Sequence, residues 1–579
     1  MIHKTLVILL AFLSFLLAAV VSRTVFERLP HLEDEVAYLF QARVFANGEV
    51  TADVPQPSLA YWQPFVITMN GKRFSKYTPG WSFILSLGVS MGQAWVINAF
   101  CAMLTVSLTY RIGKEIFHPD VGIIAAALVT FSPMALLLNG TLMGHSAALT
   151  CLLFFILAYW RIEQGHHGIR WGIVGGVALG LLVINRQLTA ASAALPFILW
   201  SIIRLPYLLK KPRELIPPYV MLALITLIIA AAIPLYNHIT SGDYRTNLYR
   251  KVWDYDRVGF GEGYGRNGHT IIKGVAHARY DLSLTAADLF GWVLGEVTPE
   301  VQEHLRTQSD YFPLYGLSFF ILPFGLLAGF RRWWMRAWVL LGLIWLIPPL
   351  VNNATFLITD EAAIWRWLMM GILVMLLPLI IFAIYPPDHQ TRWTWFLLAI
   401  AVCLIGGHMA YWVGSQRYST RYYFEALPAL AIIAALAFDK LFHQLKRFRL
   451  LYFMGVLAFT GLICWSYIHY SVPRIQALYQ FNGVTQAKIE AVAARRIDER
   501  PILVIVTSVP GSRFTWRGYG SLIAVTDPYF ENDIIVARDY NGQSRDAIIQ
   551  QFPNHQVIDM TINYTEAWFT GDCDGGNCG

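Results

Sequence analysis

Along this 579-residue chain the apolar residues gather in long runs rather than in short alternating stretches, and the runs are separated by brief basic loops. Thirteen of them approach or exceed the roughly 18 to 20 residues with which a helix crosses a bilayer. They fall near 5–22, 93–112, 121–138, 146–160, 171–185, 188–203 and 216–235, then near 313–330, 337–351, 367–385, 393–413, 423–439 and 450–469. Residues 79–92 are apolar too, but short, and the pattern places them at the membrane interface or within the following span. Three longer polar segments remain, at 23–92, 236–312 and 470–579. In the first, Val36, Leu39, Phe40, Arg43 and Val44 recur at helical spacing, which predicts an amphipathic helix opened by the carboxylates Asp34 and Glu35. The last reads as a small α/β module, with helical character over 474–497, strands at 502–508, 534–537 and 556–560, and a helix near 544–552.

Composition agrees with this pattern. At 56% hydrophobic, 14% charged and a mean hydropathy of +0.48, the chain is a polytopic membrane protein. Its net charge of +7 is modest and no basic tract is dense enough for nucleic acid. The apolar run after Lys4 ends at Arg23 without a small-x-small cleavage site, which predicts an uncleaved anchor. With the amino terminus in the cytoplasm, 17 lysines and arginines from Lys4 to Arg449 fall in short inner loops, against 4 outside, Arg186, Arg366, Arg417 and Arg421. That asymmetry sets the orientation, and thirteen spans then put the carboxyl terminus outside. The expected architecture is an α-helical polytopic membrane protein of about 13 transmembrane helices with a small α/β extracytoplasmic carboxy-terminal module. Its transmembrane domain covers 1–470, with outer loops 23–92 and 236–312, and the module covers 471–579. Cys101, Cys151, Cys403 and Cys464 lie in apolar runs and read as packing residues, while Cys573 and Cys578 in the Gly-rich tail could pair in an oxidising compartment.

The four outer arginines depart from the charge bias and sit at the ends of apolar spans. A guanidinium stays charged and grips phosphate oxygens in a planar fork, so Arg186, Arg366, Arg417 and Arg421 are candidate ligands for a lipid phosphate, against the alternative of headgroup snorkelling. Asp34 and Glu35 diverge by about 100° on a helix, so one is expected to act as a general base and the other to orient it or to cap the helix. Partial burial would raise the pKa of the base. The segment 236–312 holds a Gly-rich stretch at 259–269 that does not follow a strand, so it does not suggest a dinucleotide site. A long aromatic loop of this kind usually forms a lid or cleft. His269, Asp254 and Asp256 in that loop, and His145 at an outer span end, are candidate substrate contacts. A divalent metal is compatible with such a site, but nothing in the residues requires one, and no metal ligand set is assigned.

The run DEVAYLFQARVFANGE at 34–49, then KYTPGWSFILSLG at 76–88 and RYYFEALPALAIIAALA at 421–437, resembles the GT-C superfamily of integral-membrane glycosyltransferases. The similarity points to the branch holding protein O-mannosyltransferases and the lipid A aminoarabinose transferase, and it covers about residues 1–440. The resemblance implies an inverting transfer of a sugar from a polyprenyl-phosphate donor at the outer face of a bacterial-type plasma (inner) membrane. It implies Asp34 as the base with Glu35 beside it, and Arg421 with Tyr422 at the lipid phosphate. The chain has no clear WWD-type motif in its last segment and no MIR-like insertion at 236–312, so sugar and acceptor (protein, glycan or lipid) stay open. Two other readings compete: a transporter or flippase of lipid-linked sugars, and a non-catalytic GT-C-like subunit of a membrane complex. A transporter would place ionisable groups at mid-bilayer on interrupted helices in repeated halves, whereas here the acids lie in outer loops without repeats.

Overall fold

The computed structural model describes residues 2–165, 168–307, 314–351, 361–509, 515–540, 542, 544–564 and 566–570; Cys573 and Cys578 lie outside them. Helices dominate because a chain in hydrocarbon must satisfy every backbone N–H and C=O within its own segment. Among the described residues, nine helices are long and apolar enough to span a membrane, from His3–Thr24 to Arg449–Gly483. The other four expected spans are also found as helices. One is a bent pair, Pro119–Thr130 and Pro133–Asn139, broken by 59°, and the others are the shorter apolar helices Gln187–Ile203, Ser318–Gly329 and Trp333–Leu346. The protein is a multi-pass, mostly helical membrane protein with small sheets in its polar segments.

Lipid tails are as apolar as leucine, so helices in a membrane associate through close packing. The helix Gly168–Asn185 lies along Pro217–Ala230 with its glycines on the seam. A Cβ at Gly172 would stand 2.4 Å from the Pro218 carbonyl oxygen, and one at Gly176 would meet Ile225 at 2.7 Å. The expected interfacial stretch forms the helix Pro79–Ser90, with Pro79 in its first turn.

The first polar segment carries the predicted helix, Glu33–Ala46, and a three-stranded antiparallel sheet that the apolar pattern missed. Val66–Met69 and Lys72–Ser75 pair with Met69 opposite Lys72, so Asn70 and Gly71 alone make the turn, both at positive φ. Asn-Gly is the dipeptide such a two-residue turn favours, and it was the sequence signal for this hairpin. The second strand runs out into Lys76 and Tyr77, which it delivers to the site described below.

The carboxy-terminal module has a four-stranded sheet in the order Glu566–Phe569, Gln556–Asn563, Ile502–Ser508, Ile534–Arg538. The last three strands are parallel and the first is antiparallel to its neighbour. Side chains alternate faces along a strand, and Ile502–Ser508 is buried on both. Ile502, Val504 and Val506 pack in a cluster that includes Val36 of the first segment, while Leu503 and Ile505 pack with its Ala60 and Tyr61. Module and first segment therefore share two cores, and further bonds join them: Arg43 donates to the carbonyls of Ala524 and Thr526, and Trp516 donates to Glu33. Tyr61 is 3% exposed and its hydroxyl donates to Gln551. Tyr61→Ala should cost about 3 kcal/mol through the cavity and the lost bond, and it should lower the melting temperature of the purified protein. Tyr61→Phe, which keeps the ring, should recover most of that loss.

Candidate functional site

A cavity of about 1340 Å³ opens where the first segment, the second polar segment and the hairpin 416–420 meet the ends of the apolar helices. Asp34 and Glu33 line it from the first turn of Glu33–Ala46, and Lys76 and Tyr77 from the end of the sheet. Arg186 sits at the break between Gly168–Asn185 and Gln187–Ile203. Tyr249, Trp253 and Asp256 come from the second segment, Arg417, Arg421 and Tyr422 from the hairpin and the helix after it, and Trp516 from the module.

Asp34 and Glu35 have opposite surroundings because neighbouring helix positions point about 100° apart. Asp34 remains 18% exposed at its side chain; its Oδ1 accepts the Tyr77 hydroxyl at 2.5 Å and its Oδ2 faces Arg421 Nη1 at 3.4 Å. Glu35 is 1% exposed. Its carboxylate accepts the backbone N–H of His31 at 2.9 Å, of Leu32 at 3.1 Å and of Leu142 at 2.7 Å, together with the Tyr418 hydroxyl. Glu35 thus caps the helix and ties it to the membrane bundle, and it does not line the cavity. The sequence-based assignment of Glu35 as a catalytic group is corrected accordingly: its capping alternative is the one the geometry matches. The electrostatics follow the same division. Burial alone would raise the Asp34 carboxyl, but Arg421, Tyr77 and Lys76 outweigh it and hold the group below its ordinary range. The upward shift expected for the base falls instead on Glu35, which burial pushes up to about 7 against its four donors.

The phosphate candidates divide in the same way. Arg421 lies with its guanidinium 5.1 Å from the Tyr422 ring centre and Arg186 at 5.6 Å from that ring, so one tyrosine is flanked by two permanent cations. His408 stacks on Tyr422 as well, at 4.9 Å. Arg417 lines the cavity beside them. Arg366 does not; it lies exposed on Glu361–Ile384. His145 is fully buried behind the cavity wall, its Nδ1 3.3 Å from Glu425, whose Oε1 is 3.6 Å from Arg186. His269 is buried against the Met409 carbonyl at 2.9 Å and stacks on Phe260. Neither His145 nor His269, both expected as substrate contacts, lines the cavity.

Lys76 was not singled out from the sequence. Its ammonium is 3.4 Å from Asp256 and is ringed by Phe65 at 3.8 Å, Trp253 at 4.7 Å, Tyr77 at 5.1 Å and Tyr249 at 5.2 Å. Tyr411 and Trp412 donate to the other oxygen of Asp256. The only warning in the sequence was a lysine immediately before Tyr77 in the motif at 76–88. As for metals, the His/Asp grouping compact enough to share an ion among the described residues is His118, Asp120 and Asp439. It lies roughly 25 Å along the Arg421–Leu445 helix from the cavity. There, His118 already bonds Asp439 at 2.8 Å, and His3 and Lys446 hold Asp120.

Comparison with known proteins gives a family match over part of the chain. Residues 79–236 match the family model described as dolichyl-phosphate-mannose-protein mannosyltransferase. This match bears out the resemblance to GT-C membrane glycosyltransferases. No curated protein matches the chain. Among solved structures, ArnT from Cupriavidus metallidurans bound to undecaprenyl phosphate is similar at 11% identity and a TM-score of 0.48, over 96% of this chain and 92% of that one. The archaeal oligosaccharyltransferase AglB from Archaeoglobus fulgidus, in complex with an inhibitory peptide and a dolichol-phosphate, is similar at 14% identity and a TM-score of 0.45, over 96% and 69%.

The site generates a pH prediction. A carboxyl whose folded pKa is raised contributes stability that is present below its unfolded value and lost as pH rises through the folded one. For Glu35 that window runs from the ordinary 4.5 to about 7. The wild type should therefore lose up to roughly 3 kcal/mol of stability between about pH 4 and about pH 8 from this group. Melting temperatures of Glu35→Gln should show a shallower decline over the same range, because the amide keeps an acceptor for Tyr418 without a charge to bury.

Proposed function

We infer that the chain is an inverting glycosyltransferase that moves a sugar from a polyprenyl-phosphate donor to a hydroxyl acceptor at the outer face of a plasma membrane. The observation that carries this reading is the meeting of Asp34 with Arg421, beside Arg186 and Tyr422, in one cavity at the ends of apolar spans. The family match over residues 79–236 supports a sugar transferase of this class.

In this reaction the acceptor oxygen attacks the anomeric carbon from the face opposite the phosphate. The new C–O bond forms as the old glycosyl–phosphate bond breaks. The acceptor proton passes to Asp34, and the bonding electrons leave with the lipid phosphate, which gains a negative charge. Arg186 and Arg421 are assigned to the departing phosphate, Arg421 moving from its 3.4 Å contact with Asp34 as the sugar enters between them, and charge stabilisation by such donors is a large catalytic term. A carboxylate held at low pKa is a weak base, so it takes the proton late, once the attacking oxygen has become acidic through bond formation. A phosphate is already a good leaving group, and the enzyme then supplies alignment and a proton acceptor. Lys76 and Asp256 form a fixed charge pair in the cavity wall.

Asp34→Asn preserves volume but removes the acceptor for the proton, and transfer of radiolabelled sugar from a polyprenyl-phosphate donor should fall about a hundredfold or more. Near-normal transfer by a folded Asp34→Asn protein would refute its role as base. Arg421→Lys should fail to restore the loss caused by Arg421→Ala, because an ammonium cannot make the bidentate fork. Undiminished binding of a polyprenyl-phosphate analogue to Arg421→Ala would remove this arginine from the donor site. The proposed orientation is checked separately: cysteines introduced at positions 50 and 540 should both be labelled by an impermeant reagent from the outside of intact cells, and protection of both would reverse it.

A further inference from the structure

We propose that Tyr418 is a positioning residue, clamped between Glu35 on one side and the Arg474–Asp288 pair on the other, which fixes Arg421 opposite Asp34. The proposal rests on the reading of Asp34 and Arg421 given above. Tyr418 occupies the tip of a two-strand hairpin in which Gln416 pairs with Thr420 and Arg417 with Ser419. It is not a glycine, yet its φ is +69°, a left-handed conformation that costs about 1 kcal/mol or more and persists only where the surroundings impose it. They do so at both ends of the residue. Its hydroxyl donates to Glu35, one residue from Asp34, and its ring lies edge-on to Phe26 at 5.0 Å. Its carbonyl accepts Arg474 Nη2 at 2.6 Å.

Arg474 is itself held. Its Nε and Nη2 both reach the Asp288 carboxylate at 3.3 Å, and Asp288 also accepts Tyr470 at 2.6 Å and Ser419 at 2.7 Å. Asp288 is fully buried and Arg474 is 3% exposed at its side chain, so neither can relax into water if its partner is lost. Asp288 ends the helix Ile271–Asp288 of the second polar segment, while Arg474 opens the connection to the carboxy-terminal module. The hairpin is therefore braced by three distant parts of the chain. It carries Arg417 on its first strand and leads directly into Arg421, whose N–H donates to the Ser415 carbonyl. Glu35 sets the helix that carries Asp34 and Tyr418 sets the hairpin that carries Arg421; their one shared bond fixes the base against the phosphate-facing cation.

The test uses the full-length protein in lipid nanodiscs. Tyr418→Phe removes only the hydroxyl that bridges the two elements. Turnover should fall about tenfold while the KM for donor and acceptor each change by less than about twofold, because both substrates still bind but are no longer aligned. The Asp34 carboxylate band in the infrared, identified by its absence in Asp34→Asn, should titrate at higher pH than in wild type as Arg421 draws away. Arg474→Lys, which keeps the charge but loses the fork, should show both effects and provides the second variant where Tyr418→Phe does not fold. Glu35→Gln, which retains an acceptor for the hydroxyl, should lose less turnover than Glu35→Ala. Unchanged turnover and an unchanged Asp34 titration in a folded Tyr418→Phe protein would overturn the proposal. A shifted titration in a protein whose Asp34→Asn variant transfers sugar normally would leave the clamp standing and refute the reading of Asp34 as base.

Discussion

Two carboxylates side by side on a helix cannot serve the same place, since successive positions turn by about 100°. The first polar segment is organised around that constraint. The helix Glu33–Ala46 must bury one acid and open the other, and the buried one requires enough donors to replace water. Glu35 finds three backbone N–H groups and a phenol, contributed by the chain just before the helix, by the membrane bundle at Leu142 and by the hairpin at Tyr418. Satisfying one buried carboxylate thereby fixes the mutual placement of the parts that surround Asp34.

Two ion pairs organise the charge in the cavity, whose lining otherwise holds an excess of basic residues, Arg186 and Arg417 among them. Asp34 faces Arg421 and Asp256 faces Lys76, and each acid accepts a further bond from a tyrosine, Tyr77 and Tyr411 respectively. Arg186 and Arg421 lie 5.6 and 5.1 Å from the ring centre of the same tyrosine, Tyr422. An anionic lipid headgroup entering between them would meet cations whose orientation is already set, which limits the reorganisation that binding demands.

The spans were legible in the sequence because hydrophobic length is a property of each segment alone, and every one of the thirteen runs is met by a helix, including the bent and short ones. The parallel strands of the module were legible for a similar reason, as apolar runs such as ILVIVTS at 502–508. The site was legible only in part. Arg186, Arg417 and Arg421 stood out by violating a charge bias, and Asp34 by its place in a motif, and all four line the cavity. What could not be read was direction: the third-residue position of Glu35 and its bonds to His31 and Leu32 favour a cap, but the donors that bury it in the bundle, Leu142 and Tyr418, lie 107 and 383 residues away. Lys76, buried against Asp256 from 180 residues further on, was hidden by the same kind of separation. His145 at a span end and His269 within the second segment show the reverse failure, in which a polar residue is taken up by burial against distant partners, Glu425 and the Met409 carbonyl.

The two cores shared by the first segment and the carboxy-terminal module have a consequence for the order of assembly. Val36 and Tyr61 leave the ribosome more than 400 residues ahead of the strand Ile502–Ser508 that covers them. At about 5 to 20 residues per second, that interval lasts roughly twenty seconds to a minute and a half. Throughout it the helix bearing Asp34 lacks the sheet that will brace it, although every span up to Arg421–Leu445 can already be in place. The carboxy-terminal module therefore completes the packing of a segment made long before it, and until its Trp516 arrives the cavity wall is unfinished.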